Sequence, residues 1–344
     1  MSILLLNQSN TLLREQIEYA LAEIEGRFAE ELTSDLSCVN ALVSHVEQYR
    51  GKMLRPTLVL ISGIASGGGD DTAGLSDAHL IVATVVELVH MATLVHDDVL
   101  DDAQTRRRGR TVNELRGNET AVMLGDYLIS HSYHLCSSLD RPAINHLISD
   151  ATNVVCEGEL LQLANRNNWE LDEQTYFEII RRKTASFCGT CCRVAAILHE
   201  APSEVADQLY NYGEKLGIAY QIVDDVLDLV GTEQTVGKTL GRDVQKGKLT
   251  LPLIHYLKHA GEAQRQQMLQ IMDCSIRGGV AATLDANQVE AVRQLVAPSD
   301  SVRYANDWAT SLAKQAKASV ASLPDTGCRK LMLDMADAVL TRQF

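Results

Sequence analysis

The stretch AHLIVATVVELVHMATLVH, residues 78–96, is apolar on nearly every helical face and runs straight into Asp97 and Asp98. A helix that is apolar all round must lie at the centre of a large protein or in a membrane. Glu87 and His90 interrupt the run, and a spanning helix needs ~20 apolar residues. A core helix is therefore expected, and no transmembrane segment. A second segment, EKLGIAYQIVDDVLDLV at 214–230, is built alike and also ends in aspartates. Alternating β-branched runs are nearly absent, and the six prolines fall near the edges of periodic segments, as they do where helices dominate. The predicted class is all-α. Helices are expected at 8–30, 36–48, 53–66, 75–102, 119–138, 142–166, 173–198, 203–231, 250–260, 263–275, 286–296, 299–321 and 326–342. SGGGDD at 66–71 reads as a surface turn and GTEQTVGKTLGRDVQKGK at 231–248 as a loop. No Pro/Ser-rich linker or short repeat divides the chain, so residues 1–344 are expected to form one domain.

Charge narrows the partners. Lys and Arg number 31 against 45 Asp and Glu, a formal charge of −14. A chain this acidic lacks the basic footprint of a general nucleic-acid binder, and no nucleic-acid partner is expected. It can still hold an anion where basic residues are local or cations intervene. The eight cysteines sit mostly inside apolar helical patterns, and the start MSILLLNQSN has no basic region before a short apolar run. Reduced thiols and a cytoplasmic location are the expectation. Cys188-Gly-Thr-Cys191-Cys192 contains a C-x-x-C, but no second Cys/His pair stands at zinc-site spacing. Small-residue helix packing explains it better.

The two apolar helices end in HDDVLDD, with Asp97, Asp98 and Asp101, and in VDDVLDL, with Asp224, Asp225 and Asp228. Helical residues i and i+4 differ by only ~40° around the axis, so each set projects carboxylates to one side. Like charges at that spacing repel, and the helix C-terminus disfavours anions. One such string in an acidic protein is as readily a solvated helix end. Two with the same spacing, each after a long apolar run, call for a compensating cation. Mg²⁺ fits, since it takes one or two carboxylates plus phosphate oxygens. An EF-hand is excluded, because the acids are on helices and no D-x-D-x-D-G loop exists. A carboxylate pair alone also suits general acid/base work, but five or six facing carboxylates suit metal clamping better.

Basic residues flank both motifs: Lys52 and Arg55 in RGKMLRP, Arg106 and Arg107 in TRRRGR, Lys183 in RRKTA, then Lys238 and Lys248. Singly each is ordinarily a solvated charge. Together, in so acidic a chain, they suggest cations gathered around an anionic ligand, and arginine forks suit phosphate. One turn before Asp97 lie the small residues Ala92 and Thr93, which leave room for a channel or simply pack closely. His90, two turns before Asp97 on the same side, borders the expected phosphate pocket.

Taken in order, GKMLRP, VELVHMATLVHDDVLDD, RRRGRTVNELRGN, LGDYL, EGELLQL, RRKTA, GIAYQIVDDVLDL and GKTLGRDVQKGKLTLP resemble the trans-isoprenyl diphosphate synthases, the polyprenyl synthetase family, in its long-chain octaprenyl type. The resemblance spans nearly the whole chain. It implies the isoprenoid synthase fold, about ten core helices around a deep central cavity, usually as a homodimer. It implies head-to-tail condensation of isopentenyl diphosphate with an allylic diphosphate, farnesyl or geranylgeranyl, to a long all-trans product that partitions to membranes. Asp97, Asp98, Asp101, Asp224, Asp225 and Asp228 match the residues that hold two or three Mg²⁺ ions on the allylic diphosphate. Lys52, Arg55, His90 and Arg107 match the isopentenyl diphosphate contacts. Arg106, Lys183 and Lys238 match allylic diphosphate contacts, and Lys248 a lysine of the closing loop. Thr184 and Gln221 match positions beside the reacting carbon, and Ala92 and Thr93 those that set chain length.

The sequence departs from the family at Arg50-Gly51, where a glycine pair is usual, at Arg108, and at Tyr220 in place of phenylalanine. Shorter-chain farnesyl or geranylgeranyl synthesis, and a non-catalytic subunit of a heteromeric synthase, are the alternatives. Retention of all six aspartates argues against the latter, and the second acidic motif argues against a terpenoid cyclase.

Overall fold

A computed structural model describes residues 11–49, 51–107, 109–231, 240–273, 276–277, 280–281 and 283–341. Lys238 lies outside them, as do Arg50, Arg108 and Cys274. In chain order the first helices are α1 (Thr11–Glu31), α2 (Ser37–Glu47), α3 (Leu54–Ser66), α4 (Asp77–Leu100), α5 (Val112–Arg116), α6 (Asn118–Ser137), α7 (Pro142–Ala164), α8 (Glu173–Ile180), α9 (Ser186–Leu198) and α10 (Ser203–Val230). Helices Arg242–Gln245, Leu251–His259, Glu262–Asp273, Ala286–Val296, Asp300–Ser319 and Gly327–Leu340 follow. Among the described residues the only strands are two-residue hairpins, Thr105–Arg106 with Gly109–Arg110 and Ile276–Arg277 with Val280–Ala281.

The expected helix at 173–198 is interrupted. Arg181–Ala185 forms a π-helical turn between α8 and α9. Gly158 on α7 lies against it, and a Cβ there would stand 2.5 Å from the Lys183 backbone nitrogen. Arg242–Gln245 is helical where the sequence reading expects loop, and Val112–Arg116 forms a short helix outside those expected.

The chain divides into two compact units. The first comprises residues 1–152, 188–213 and 316–338, the second 153–187, 214–315 and 339–344. In the first unit α4 is the core: Val82, Ala83, Val85, Leu88 and Met91 are fully enclosed. Helices α1, α3 and α6 pack on it. The α1 residues Leu13, Ile17, Leu21, Ile24 and Phe28 are buried at three- to four-residue spacing, the signature of one apolar stripe. α4 is long and apolar enough to cross a membrane, yet 67% of its most apolar window is buried inside the protein, as expected of a core helix. Cys188, Cys191 and Cys192 on α9 are equally enclosed. A Cβ on Gly213 would strike the Cys188 carbonyl at 2.5 Å, so these small residues serve close packing. The seven described cysteines are free thiols.

In the second unit, α8 packs on Leu251–His259, whose start is marked by Pro252 in its first turn. Ala286–Val296 packs on the helices Arg242–Gln245 and Glu262–Asp273. Aromatic contacts join α8 to Asp300–Ser319, with Phe177 and Trp308 ring centres 4.9 Å apart. The Tyr304 hydroxyl donates to Glu173 at 2.8 Å.

Candidate active site

In the first unit the acidic motif is divided in role. Asp98 is 2% exposed and accepts the Arg106 guanidinium fork, Nε at 3.0 Å and Nη2 at 2.8 Å. Asp97, on the last turn of α4, and Asp101, at its C-cap, remain half-buried beside it. Tyr49 supports the pair: its ring lies 5.9 Å from the Arg106 guanidinium carbon, and its hydroxyl accepts the Val112 N–H at 2.9 Å. Burial and the Asp98 charge push the Tyr49 phenol up to about 12.

The hairpin that carries Arg106 turns through Arg107, which adopts a left-handed φ of 48°. Its guanidinium lies on the Gly51 backbone, where a Cβ would come within 2.0 Å of Nη2. Only glycine permits that approach. His90 stands among three of the predicted cations. Burial, then Arg55, Arg106 and Arg107, hold its imidazole well below the usual histidine range. His90 is therefore neutral, and its Nδ1 is enclosed with no hydrogen-bond partner among the described residues. Lys52 is half-buried at the approach to α3. Ala92 is fully buried, and the half-buried Thr93 donates its hydroxyl to the His90 carbonyl at 2.8 Å.

In the second unit five predicted residues line one cleft: Lys183, Thr184, Gln221, Asp225 and Lys248. The π-helical turn brings Lys183 and Thr184 to its wall. Lys183 Nζ donates to Gln162 Oε1 at 2.9 Å and pairs with Glu159. The Thr184 hydroxyl donates to Gln221 Oε1 at 3.1 Å, and Gln221 Nε2 donates to Asp225 Oδ1 at 2.9 Å. Tyr176 completes the chain, donating to Asp225 Oδ2 at 2.7 Å. Burial pushes the Asp225 carboxyl well above the usual carboxylate range, with Asp243 adding to it; the Tyr176 and Gln221 hydrogen bonds pull the other way. Asp228 is 4% exposed and accepts the Asp243 N–H at 3.1 Å. Asp224 is half-buried and does not line the cleft.

Five contributors, Tyr49 among them, were not singled out by the sequence reading. Asp243 stands within the GRDVQKGK block and could have been found there. Glu159 and Gln162 stand likewise within the EGELLQL block, whereas Tyr49 and Tyr176 carry no local signal.

Among the described residues, no three Asp, Glu, His or Cys side chains gather closely enough to enclose a metal ion alone. The donors fit Mg²⁺ all the same. The two motifs offer only aspartate oxygens, and Mg²⁺ needs only one or two of these when phosphate oxygens complete its shell.

The Polyprenyl synthetase family model matches residues 37–283. The chain is 31% identical over 322 residues to an octaprenyl diphosphate synthase from Escherichia coli (strain K12), covering 94% of this chain and 95% of that protein. It is 33% identical over 313 residues to an all-trans-nonaprenyl-diphosphate synthase (geranyl-diphosphate specific) from Rhodobacter capsulatus, covering 91% and 92%. Among solved structures it is similar to a polyprenyl synthase from Caulobacter crescentus CB15 complexed with calcium and isoprenyl diphosphate. That match has a TM-score of 0.88 and 28% identity over 96% of this chain and 97% of that one. With an all-α isoprenoid synthase fold and this sequence likeness, the chain belongs to the polyprenyl synthetase family and is a prenyltransferase.

Proposed function

We propose that the chain is a Mg²⁺-dependent trans-prenyl diphosphate synthase of the long-chain type. It joins isopentenyl diphosphate head-to-tail to an allylic diphosphate, with farnesyl or geranylgeranyl diphosphate as primer and an octaprenyl-like product. The observation that carries the reading is the second unit's cleft, where Lys183, Thr184, Gln221, Asp225 and Lys248 converge from three separate stretches of sequence. Two cations, a carboxylate and a hydroxyl–amide pair in one cleft suit a diphosphate and the carbon it leaves.

Lys183 and Lys248 receive the charge of the allylic diphosphate. When bound, Mg²⁺ neutralises the departing pyrophosphate. Asp97, Asp98 and Asp101, and Asp224, Asp225 and Asp228, are the oxygens that would hold it, two or three ions in all. The Thr184 hydroxyl hydrogen is committed to Gln221, so its oxygen presents lone pairs where positive charge develops on carbon. Fixed dipoles of this kind cost no reorganisation at the moment of reaction. Arg55, Arg107 and Lys52 take the isopentenyl diphosphate, and neutral His90 offers an N–H rather than a fourth charge beside them. Arg106, already forked on Asp98, holds that carboxylate's orientation. Ala92 and Thr93 leave the growing chain unobstructed. The reading extends to a cytoplasmic homodimer whose product passes to a membrane.

Incubation with farnesyl diphosphate, radiolabelled isopentenyl diphosphate and Mg²⁺, followed by chromatographic sizing, tests it. Products of about C40 are expected. Release of pyrophosphate without elongation would sink the reading, and C20 as the sole product would sink its long-chain part. Ala92→Phe is expected to shorten the product.

A further inference from the structure

The residues that fix the end of the second acidic helix lie in part beyond residue 283, where the family match stops. Helix Ala286–Val296 begins at a capping box, Asp285 accepting the Gln288 N–H at 2.9 Å while the Gln288 side chain accepts from Asp285. From its far end Arg293 reaches the C-terminus of α10. Its Nε donates to the Leu229 carbonyl at 2.6 Å and its Nη2 to the Gly231 carbonyl at 3.0 Å. These are carbonyls that a helix end leaves without intrahelical donors. They also form the negative end of the dipole, one residue from the Asp228 carboxylate.

Val289 lies four residues before Arg293, hence on the same face. It closes on Gly241: a Cβ there would stand 2.2 Å from Val289 Cγ1, and φ at Gly241 is 72°. Only glycine fits so tightly in that conformation. The returning backbone then grips Asp228 twice, Gly241 N–H to its carbonyl at 2.9 Å and Asp243 N–H to its side chain at 3.1 Å.

We propose that Arg293 is a positioning residue for the second acidic motif. Its guanidinium fork ties helix Ala286–Val296 to the end of α10, so that the Gly241–Asp243 backbone holds the Asp228 carboxylate in place for the cation. The inference rests on the metal-dependent reading proposed above. Groups that orient metal ligands typically account for about 10–100-fold in metal affinity or activity when removed.

Mn²⁺ binding in the presence of inorganic diphosphate, followed by electron paramagnetic resonance, reads this without turnover. Arg293→Met is expected to weaken Mn²⁺ binding about tenfold, raise the KM for allylic diphosphate, and leave the KM for isopentenyl diphosphate unchanged. Glu290→Ala removes the exposed ion pair to Arg293 at 3.3 Å and the hydrogen bond from Gln294 at 3.1 Å, touches neither helix-end carbonyl, and is expected to bind Mn²⁺ as the wild type does. Wild-type Mn²⁺ binding in a folded Arg293→Met protein overturns the assignment, as does an equal rise in both KM values or an equal loss in Glu290→Ala. Should Arg293→Met fail to fold, Arg293→Lys, which keeps the charge but not the fork, decides by the same criteria. If the wild type binds Mn²⁺ with this dependence on Arg293 but elongates nothing, the proposed function falls and the positioning role stands.

Discussion

Tyr176 shows how much of a site can hang on one hydroxyl. It donates to Asp225 from a buried position, and Gln221 holds the other carboxylate oxygen. Tyr176→Phe leaves a buried acceptor short of one donor, at a cost of about 1–3 kcal/mol. Urea unfolding should register that loss, and the KM for allylic diphosphate should rise with it. His90 yields a pH dependence of definite sign. Its folded-state pKa lies below its unfolded value, so below about pH 6.5 the unfolded chain binds a proton that the folded chain refuses. Stability is therefore lost as pH falls, and His90→Gln should lose less than the wild type between pH 7.5 and 5 in denaturant titrations. The aspartates and the flanking cations were legible in the sequence because each motif lies within a few residues of one helix. Tyr176 was not, because it arrives by packing and no spacing marks it.

At the level of elements, the long helices were readable nearly to their ends, since apolar period and proline placement are local properties. The sequence reading passes over the π-helical turn at Arg181–Ala185. A π turn adds a residue without altering the apolar pattern on either side, so RRKTA reads as continuous helix. Gly158 is what admits the wider turn. A methyl there would stand 2.5 Å from backbone and 2.8 Å from Arg182 Cβ, and backbone cannot swing aside as a side-chain tip can. Gly158→Ala should cost about 1–3 kcal/mol and move Lys183 and Thr184 together. The expected readout is a fall in kcat accompanying the loss of stability in guanidinium unfolding. A stable Gly158→Ala enzyme with wild-type kinetics would show that the turn's placement does not matter.

For the whole molecule, a net charge of −14 coexists with local groups of cations: Arg55, Arg106 and Arg107 about His90, Lys183 and Lys248 in the cleft. Ligands that bind only the folded state stabilise it by mass action. Mg²⁺ with inorganic diphosphate at a hundredfold excess over Kd should add about 2.7 kcal/mol, seen as a rise in Tm that chelation by EDTA reverses. Neither component alone should match the pair. The burial of α4 has a consequence for how the chain is made. On the ribosome this segment emerges after its partners α1 and α3 but before α6, apolar enough to be taken for a membrane anchor. Its packing partner α6 begins at Asn118 and is complete at Ser137, so at ~5–20 residues per second the exposure lasts only a few seconds. Synthesis slowed between residues 100 and 137 would prolong that interval and hand the nascent chain to the membrane-targeting machinery.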